Sequence, residues 1–383
     1  MADNKALHAA AKAKNDEFYT QYADIEAEMN AYVEHNPDVF RDKTILCPCD
    51  DPEWSEFTRY FASNFERFGL KKLICTSYAK GAANKQVTLF ELMSPNYDEQ
   101  KHEAHGKLFT LTHDTDGSGM VDVDDVEFSG YLEGDGDFRS AEVTALRDEA
   151  DIIVTNPPFS LFREFLAWIR EGQNKFAIIG NQNAITYKEV FPLLQSNEIW
   201  LGYSIHSGDR KFHVPDDYPL EAASCGTDPD GRKWVRVKGI RWFTNIDHGQ
   251  RHEELKLMTM AQNLKFNQSL IKKCQKEGWI DEAGKYCYPH YDNYDAIEVP
   301  ISECVPSDYT GAMGVPITFM DKYNPSQFEI IGVPDREDLT GLRTRVYSAE
   351  DSDHYSDFNR ATTIRLTNGK LTNTYRRIFI RHK

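Results

Sequence analysis

The chain has 383 residues, a net charge of −17, 40% hydrophobic residues and 27% charged residues. This length allows one large or two modest domains, while no stretch approaches the roughly 20 apolar residues that cross a bilayer. The N-terminus lacks the apolar segment of a signal peptide, and the seven cysteines contain no Cys-x-x-Cys pair. These features indicate a cytoplasmic protein with reduced thiols, and they argue against a disulfide framework or a zinc site.

The charge is unevenly distributed along the chain. Between Asp98 and Asp151 there are sixteen Asp or Glu residues and four Lys or Arg residues. From Asp357 to Lys383 there are seven Lys or Arg residues and one Asp. Because affinity for phosphate follows the local charge, the negative total does not exclude a nucleic-acid partner for the basic tail. A solvated tail without a partner is the alternative.

The predicted elements alternate between helices and short apolar strands up to about residue 247. Apolar residues three or four apart predict the helices, and short apolar runs predict the strands. The predicted helices are 6–36, 56–68, 141–149 and 160–171, and the predicted strands are 44–47, 71–75, 86–92, 152–154, 177–180 and 198–202. Residues 105–133 alternate and carry Gly-Ser-Gly, which predicts a hairpin excursion.

This alternation predicts an α/β fold with a mostly parallel sheet covered on both faces. Ligands in such sheets bind beyond the carboxyl ends of the strands. After residue 247 the pattern changes to a predicted helix at 254–278, followed by short strands such as 328–331. This part is interpreted as a smaller domain or a set of insertions.

Asn156-Pro157-Pro158-Phe159 directly follows the apolar run 152–154 and precedes a predicted helix. An Asn-Pro-Pro-aromatic segment in this place resembles the signature of enzymes that methylate a planar amino nitrogen. Such a nitrogen is a poor nucleophile, because its lone pair is delocalised into the ring. The Asn156 side-chain oxygen and the Pro157 carbonyl would accept its two hydrogens, and Phe159 would stack on the ring. The alternative is a strand that ends in a rigid turn.

Three further segments fit a pocket for a methyl donor. Tyr19 and Thr20 would hydrogen-bond a methionine carboxylate, and Cys49 and Asp50 follow the first strand, where an amino group would be bound. In the third segment, Asp137 would accept from an adenine amine, with Phe138 on the ring. The alternatives are helix caps for the first two segments and an acidic turn for the third.

Together, Phe18-Tyr19-Thr20, Cys49-Asp50, Asp137-Phe138 and Asn156-Pro157-Pro158-Phe159 resemble the EcoRI type of adenine-specific DNA methyltransferase. Further similar segments are 239–245, 292–297, 314–319, 322–325 and 329–332. The resemblance implies a Rossmann-like class I methyltransferase domain, S-adenosylmethionine as the methyl donor and N6 of adenine as the acceptor. The target base would be flipped out of double-stranded DNA. Trp242 or Phe243 would provide a second stacking wall, with core packing as the alternative.

The predicted organisation is a catalytic domain at 1–247, with the hairpin at about 105–133 as an insertion, and a DNA-recognition region at 248–383. A cognate restriction endonuclease would be a separate protein. The methyltransferase would act as a monomer or dimer, and no membrane partner is expected. Basic residues of the C-terminal part are predicted to contact DNA. These are Arg360, Arg365, Lys370, Arg376 and Arg377.

The sequence departs from the wider methyltransferase class at two places. A glycine-rich turn after the first strand is replaced by 47–52, and the acid that usually binds the cofactor ribose is replaced by Thr76 and Ser77. Tyr78 or Asp51 would be its substitute. Alternative functions are methylation of RNA or of a protein glutamine, or DNA association by a decayed, non-catalytic methylase fold.

The segment from Asp114 to Asp125 has the spacing of an EF-hand loop, except that Asp replaces Glu at the twelfth position. Its neighbours read as extended strands rather than as the two helices that the motif requires. We therefore predict a polar hairpin tip and no metal site.

Overall fold

The computed structural model describes residues 20–49, 55–79, 97–102, 104–206, 209–214, 225–334, 342, 344–359 and 361–383. The described residues of Met1–Gln182 and Leu201–His248 form one compact unit, and those of Asn183–Trp200 and Gly249–Lys383 form a second. The predicted strand at 86–92 and the predicted helix before residue 20 lie outside the described residues. Within them, no helix has the length and apolarity to span a membrane. The described residues include all seven cysteines, and these form no disulfide with one another.

An eight-stranded sheet in the order β4-β3-β2-β1-β5-β6-β11-β7 dominates the first part of the fold. Its strands are β1 (Thr44–Cys47), β2 (Lys72–Thr76), β3 (Lys107–Leu111), β4 (Glu127–Tyr131), β5 (Ile152–Thr155), β6 (Lys175–Asn181), β7 (Trp200–Leu201) and β11 (Ile240–Thr244). The strands β8 (Asp209–His213), β9 (Cys225–Thr227) and β10 (Lys233–Lys238) form a separate antiparallel sheet in the order β8-β10-β9.

The centre of the large sheet is parallel. Strand β1 pairs in parallel with β2 and with β5, and β5 pairs in parallel with β6. Every residue of β1 and β5 is buried, as expected for strands that are covered on both faces. The predicted α/β, Rossmann-like fold is therefore confirmed. The hairpin predicted as an excursion instead extends this sheet, because β3 pairs antiparallel with both β2 and β4.

Six helices of the described residues belong to the first unit. They are α1 (Tyr22–His35), α2 (Glu56–Ser63), α3 (Phe65–Phe68), α4 (Glu99–His102), α5 (Ala141–Glu149) and α6 (Phe162–Gly172). Side-chain hydroxyls begin two of them: Ser55 accepts from the backbone of α2, and Ser140 accepts from the backbone N–H of Val143 in α5. The predicted helix at 56–68 is divided at Asn64, whose side chain donates to the Tyr60 carbonyl.

The second unit combines short helices with two small sheets. Its helices are α7 (Phe191–Gln195), α8 (Met260–Phe266), α9 (Gln268–Glu277) and α10 (Tyr355–Phe358). Its strands are β12 (Ala296–Glu298), β13 (Ala312–Pro316), β14 (Phe328–Gly332), β15 (Thr363–Arg365), β16 (Leu371–Asn373) and β17 (Arg377–His382). They form a sheet in the order β12-β13-β17-β14 and the hairpin β15-β16. The predicted helix at 254–278 is two helices, because Asn267 ends α8 and caps α9.

The acidic segment between β3 and β4 is held together by its own backbone. The Asp125 carboxylate accepts from the N–H groups of Asp122 (2.9 Å), Thr115 (2.6 Å) and Asp116 (3.2 Å). These bonds, with that of Asp122 first, lower the pKa of Asp125 to about 2. Asp114 accepts from two further N–H groups in the segment. The predicted polar connection between two strands is therefore confirmed.

Candidate active site

The Asn-Pro-Pro-Phe segment lies at the carboxyl end of β5. Asn156 follows the last residue of the strand and is half-buried, while Pro157 is buried. A single 3₁₀ turn, Phe159–Leu161, then connects the segment to α6. The two prolines fix φ on this path, so the backbone between strand and helix has little conformational freedom.

The aromatic residues that follow Pro158 have different environments. Phe159 is partly buried and packs against the hydrophobic core. Phe162 is fully buried, and its ring lies so close to Gly180 of β6 that a Cβ there would come within 2.4 Å of Phe162 Cε2. Gly180 thus allows the start of α6 to approach the sheet, which positions Phe159 at its carboxyl edge.

A buried hydrogen bond joins this segment to the turn after β1. The Thr155 hydroxyl donates to the Pro48 carbonyl over 2.5 Å, although the two residues are 107 positions apart. In that turn Cys49 has φ = +67°, a left-handed conformation that costs a non-glycine residue roughly 1–2 kcal/mol. Cys49 therefore adopts the backbone conformation that glycine favours, in the turn that lacks glycine. Asp50 and Asp51 lie outside the described residues.

The turn after β2 is in close contact with two glycines. A Cβ on Gly136 would come within 2.3 Å of the Ser77 carbonyl oxygen, and a Cβ on Gly106 within 2.7 Å of the same atom. The backbone N–H of Ala79 donates to the Asp135 carbonyl over 2.7 Å. Burial, together with the charge and hydrogen bond of Asp135, raises the pKa of Tyr78. Tyr78, one of the two proposed substitutes for the ribose-binding acid, thus lies beside the Gly134–Asp137 turn.

Replacing Gly136 by alanine is expected to destabilise this contact, because Gly136 has φ = +83° and its neighbour is backbone. Gly117 is a matched control with φ = +75° and no atom within 4 Å of its Cβ position. Gly117→Ala should lower the free energy of unfolding only by the cost of a left-handed backbone at alanine, roughly 1–2 kcal/mol. Gly136→Ala should cost about 1–3 kcal/mol more, owing to overpacking. Urea unfolding of both variants measures the difference, and equal losses would contradict the close contact.

Asp137 and Phe138 are both engaged within the protein. The Arg139 guanidinium donates to both Asp137 oxygens, at 2.9 and 2.6 Å, and lowers the pKa of that carboxyl. The Phe138 ring is 3% exposed and packs edge-on against Phe165 and Trp168. This packing leaves little of the ring exposed for the predicted stacking on an adenine ring and makes Phe138 a core residue.

Two buried hydroxyls, one of them at the carboxyl end of β2, lack a hydrogen-bond partner among the described residues. They belong to Thr20, a predicted cofactor contact that precedes α1, and to Thr76, the last residue of β2. An unsatisfied buried hydroxyl costs stability unless a ligand completes it. Both positions therefore suit a polar ligand. Tyr19, the other predicted contact of this segment, lies outside the described residues.

Trp242 and Phe243 are core residues. They lie next to each other in β11, which pairs antiparallel with β6, and are 1% and 0% exposed. The Trp242 ring packs on Phe57, and the Phe243 ring packs on Phe162. Neither ring presents a face to a base, so the prediction that they form a second stacking wall is wrong.

Two of the arginines predicted to contact DNA form ion pairs with carboxylates of the second unit. Arg377 is buried and donates to both oxygens of Glu298, and Arg365 donates to both oxygens of Asp292. Arg376 donates to the Thr186 hydroxyl over 2.5 Å, and Lys370 is exposed. Because its charge is buried and paired, Arg377 is a structural residue, which corrects that prediction. Arg360 lies outside the described residues.

Comparison with known proteins assigns the family. Residues 6–383 match the family described as "Adenine-specific methyltransferase EcoRI". The chain belongs to this family. This membership confirms the resemblance that the sequence motifs indicated.

The relatives in this family cover most of the chain. It is 42% identical over 331 residues to the Type II methyltransferase M.EcoRI of Escherichia coli, which covers 86% of this chain and 89% of the relative. It is 32% identical over 332 residues to the Type II methyltransferase M.MpnI of Mycoplasma pneumoniae, covering 85% of this chain and 84% of the relative. No solved structure matches the chain.

Proposed function

We propose that the protein transfers a methyl group from S-adenosylmethionine to N6 of an adenine in double-stranded DNA. The observation that carries this proposal is the position of Asn156-Pro157-Pro158-Phe159 at the carboxyl end of a buried parallel strand. Ligands of open α/β sheets bind at that edge. Membership of an adenine-specific family supports the choice of acceptor.

The proposed catalysis depends mainly on the positioning of the target amino group and its base. The Asn156 side-chain oxygen and the Pro157 carbonyl accept the two amino hydrogens, which favours a tetrahedral, nucleophilic nitrogen. Flipping the base costs a few kcal/mol, and stacking on Phe159 returns roughly 1–3 kcal/mol. A dedicated general base is unnecessary, because the amine becomes acidic as it is alkylated. Alignment and charge complementarity therefore account for most of the rate.

The residues near the sheet edge fit the proposed donor, which supplies an electrophilic methyl group when bound. The Thr20 hydroxyl, buried without a partner among the described residues, would bind the methionine carboxylate. The turn containing Cys49 would receive the methionine amino group. Tyr78 and Asp137 lie on neighbouring turns and would hold the adenosine part.

The wider context is also proposed. Relatives named Type II methyltransferases favour a role in restriction and modification, with any nuclease on a separate chain. A monomer suffices, because each strand of a palindromic site is modified in a separate event. We assign sequence recognition to the second unit.

The test is methyl transfer from labelled S-adenosylmethionine to plasmid DNA, followed by nucleoside analysis. The expected product is N6-methyladenine. Parallel reactions with RNA and with a protein extract separate the alternative acceptors. Label found only in RNA or protein, or absence of transfer although the donor binds, would overturn the proposal.

A further inference from the structure

The three-stranded sheet β8-β10-β9 has one apolar face and one cationic, aromatic face. Val235 and Val237 of β10 and Phe212 of β8 are buried in the hydrophobic core. Residues alternate between faces along a strand, so Trp234 and Arg236 point to the opposite face. Arg236 is exposed, as is Lys211, which lies opposite it in the register. We call Lys211, Trp234 and Arg236 the basic face.

The basic face is held in place by its own contacts. Lys211 Nζ lies 4.3 Å from the centre of the Trp234 ring, and Arg236 Cζ lies 5.9 Å from it. The ring lies against Gly226 of β9, where a Cβ would come within 2.8 Å of Trp234 Cζ2. Glycine at this position therefore lets the indole lie close to the sheet, with Lys211 and Arg236 near its ring.

The cations of the basic face outnumber the acid beside them, because Asp209, two residues before Lys211 on the same face, lies opposite a third cation, Lys238. Lys211 and Arg236 are direct cross-strand neighbours in an antiparallel pair, an arrangement that is unfavourable for like charges. Among the described residues, neither forms an ion pair with an acidic side chain. In contrast, Arg139, Arg365 and Arg377 are each paired with carboxylates. In a chain with a net charge of −17, an unbalanced cationic pair indicates an external anion.

The three-stranded sheet is connected to the edge of the large sheet that carries the candidate active site. Strand β10 continues into β11 through Gly239, which has φ = +66°. The first residue of β11, Ile240, pairs with Asn181 at the carboxyl end of β6. Because β6 is parallel to β5, this junction lies on the same edge of the large sheet as Asn156.

We propose that the basic face binds the phosphodiester backbone of the DNA substrate beside the adenine that is methylated. This inference rests on the proposed function and deepens it. Lys211 and Arg236 each neutralise a phosphate, and the Trp234 ring holds the two cations in place. Such contacts position the duplex and do not read its sequence.

The test compares two full-length double variants with equal charge change. Lys211→Gln with Arg236→Gln removes the two cations of the basic face. Lys71→Gln with Arg41→Gln removes two exposed cations that precede β2 and β1, at the opposite edge of the parallel strands. Duplex binding by fluorescence anisotropy, KM for DNA and kcat are measured over a range of salt concentrations. Urea midpoints verify that both variants are folded.

The basic-face variant should bind duplex more weakly and show a higher KM for DNA, with unchanged kcat at saturating DNA. The slope of log K against log salt should become shallower by about 1.8, since each lost phosphate contact contributes about 0.9. The control should match the wild type. A slope and KM equal to those of the control overturn this inference and leave the proposed function intact. Wild-type protein that transfers no methyl to DNA overturns the proposed function and this inference together.

Discussion

Replacing Asn156 by alanine is expected to reduce methyl transfer to background, a loss of at least roughly 10²–10³-fold in kcat. Alanine removes one of the two acceptors that favour a nucleophilic amine. The fold should survive, because the elements on either side of Asn156 are anchored independently. Thr155 keeps its hydrogen bond to the Pro48 carbonyl, and α6 keeps its buried face.

The matched variant is Asn156→Asp, whose carboxylate still accepts a hydrogen bond. It should retain more activity than Asn156→Ala, because an acceptor remains in place. Single-turnover methyl transfer at saturating DNA measures the chemical step, and the urea midpoint verifies the fold. A folded Asn156→Ala protein with near-normal turnover would exclude the proposed mechanism.

Local features of the sequence were predicted well. Helix α5 has the predicted bounds, Ala141–Glu149, because Ser140 caps it and an apolar strand follows shortly after its end. The break at Asn64 was not predicted, because the apolar pattern continues across it. The break becomes visible only in the structure, where the Asn64 side chain donates to the Tyr60 carbonyl and the Asn64 backbone is not helical, with φ −113° and ψ 13°.

In the candidate active site, too, local sequence features were predicted, whereas contacts between distant segments were not. The Asn156 segment is contiguous, so its residue types alone suggested its chemistry. The Thr155 bond to Pro48 depends on the placement of β5 beside β1, which no local pattern encodes. Gly136 was part of a recognised turn, but the contact of that turn with the Ser77 carbonyl depends on the tertiary fold.

The predictions that failed relied on the composition of a segment and took no account of which strands and charges pair in the fold. The apolar run containing Trp242 and Phe243 does not reveal that both faces of β11 are covered. The basic tail suggested DNA contact. Two of its arginines, however, are paired with Asp292 and Glu298, which are distant in sequence and do not enter a charge count of the tail. A usable signal was missed at 233–238, where cations and an aromatic residue alternate with valine at strand spacing.

Replacing Arg377 by methionine is expected to destabilise the second unit by about 3–5 kcal/mol, because it leaves a buried carboxylate unpaired. Glu298 is 0% exposed, and Arg377 Nε lies 3.0 and 2.9 Å from its two oxygens. The Tyr291 hydroxyl also donates to Glu298. Burial, followed by the charge of Glu298, raises the pKa of Tyr291 well above its ordinary value, so this hydroxyl stays protonated.

A second arginine on the same strand provides the control. Arg381 of β17 forms an exposed pair with Glu329 at 3.1 Å, so Arg381→Met should cost less than about 1 kcal/mol. Adding Glu298→Gln to Arg377→Met should restore much of the lost stability, because the buried charge is removed while an acceptor for Tyr291 remains. Urea unfolding measures all three variants. If Arg377→Met unfolds like Arg381→Met but has a raised KM for DNA, Arg377 contacts the substrate, and its assignment as a structural residue is wrong.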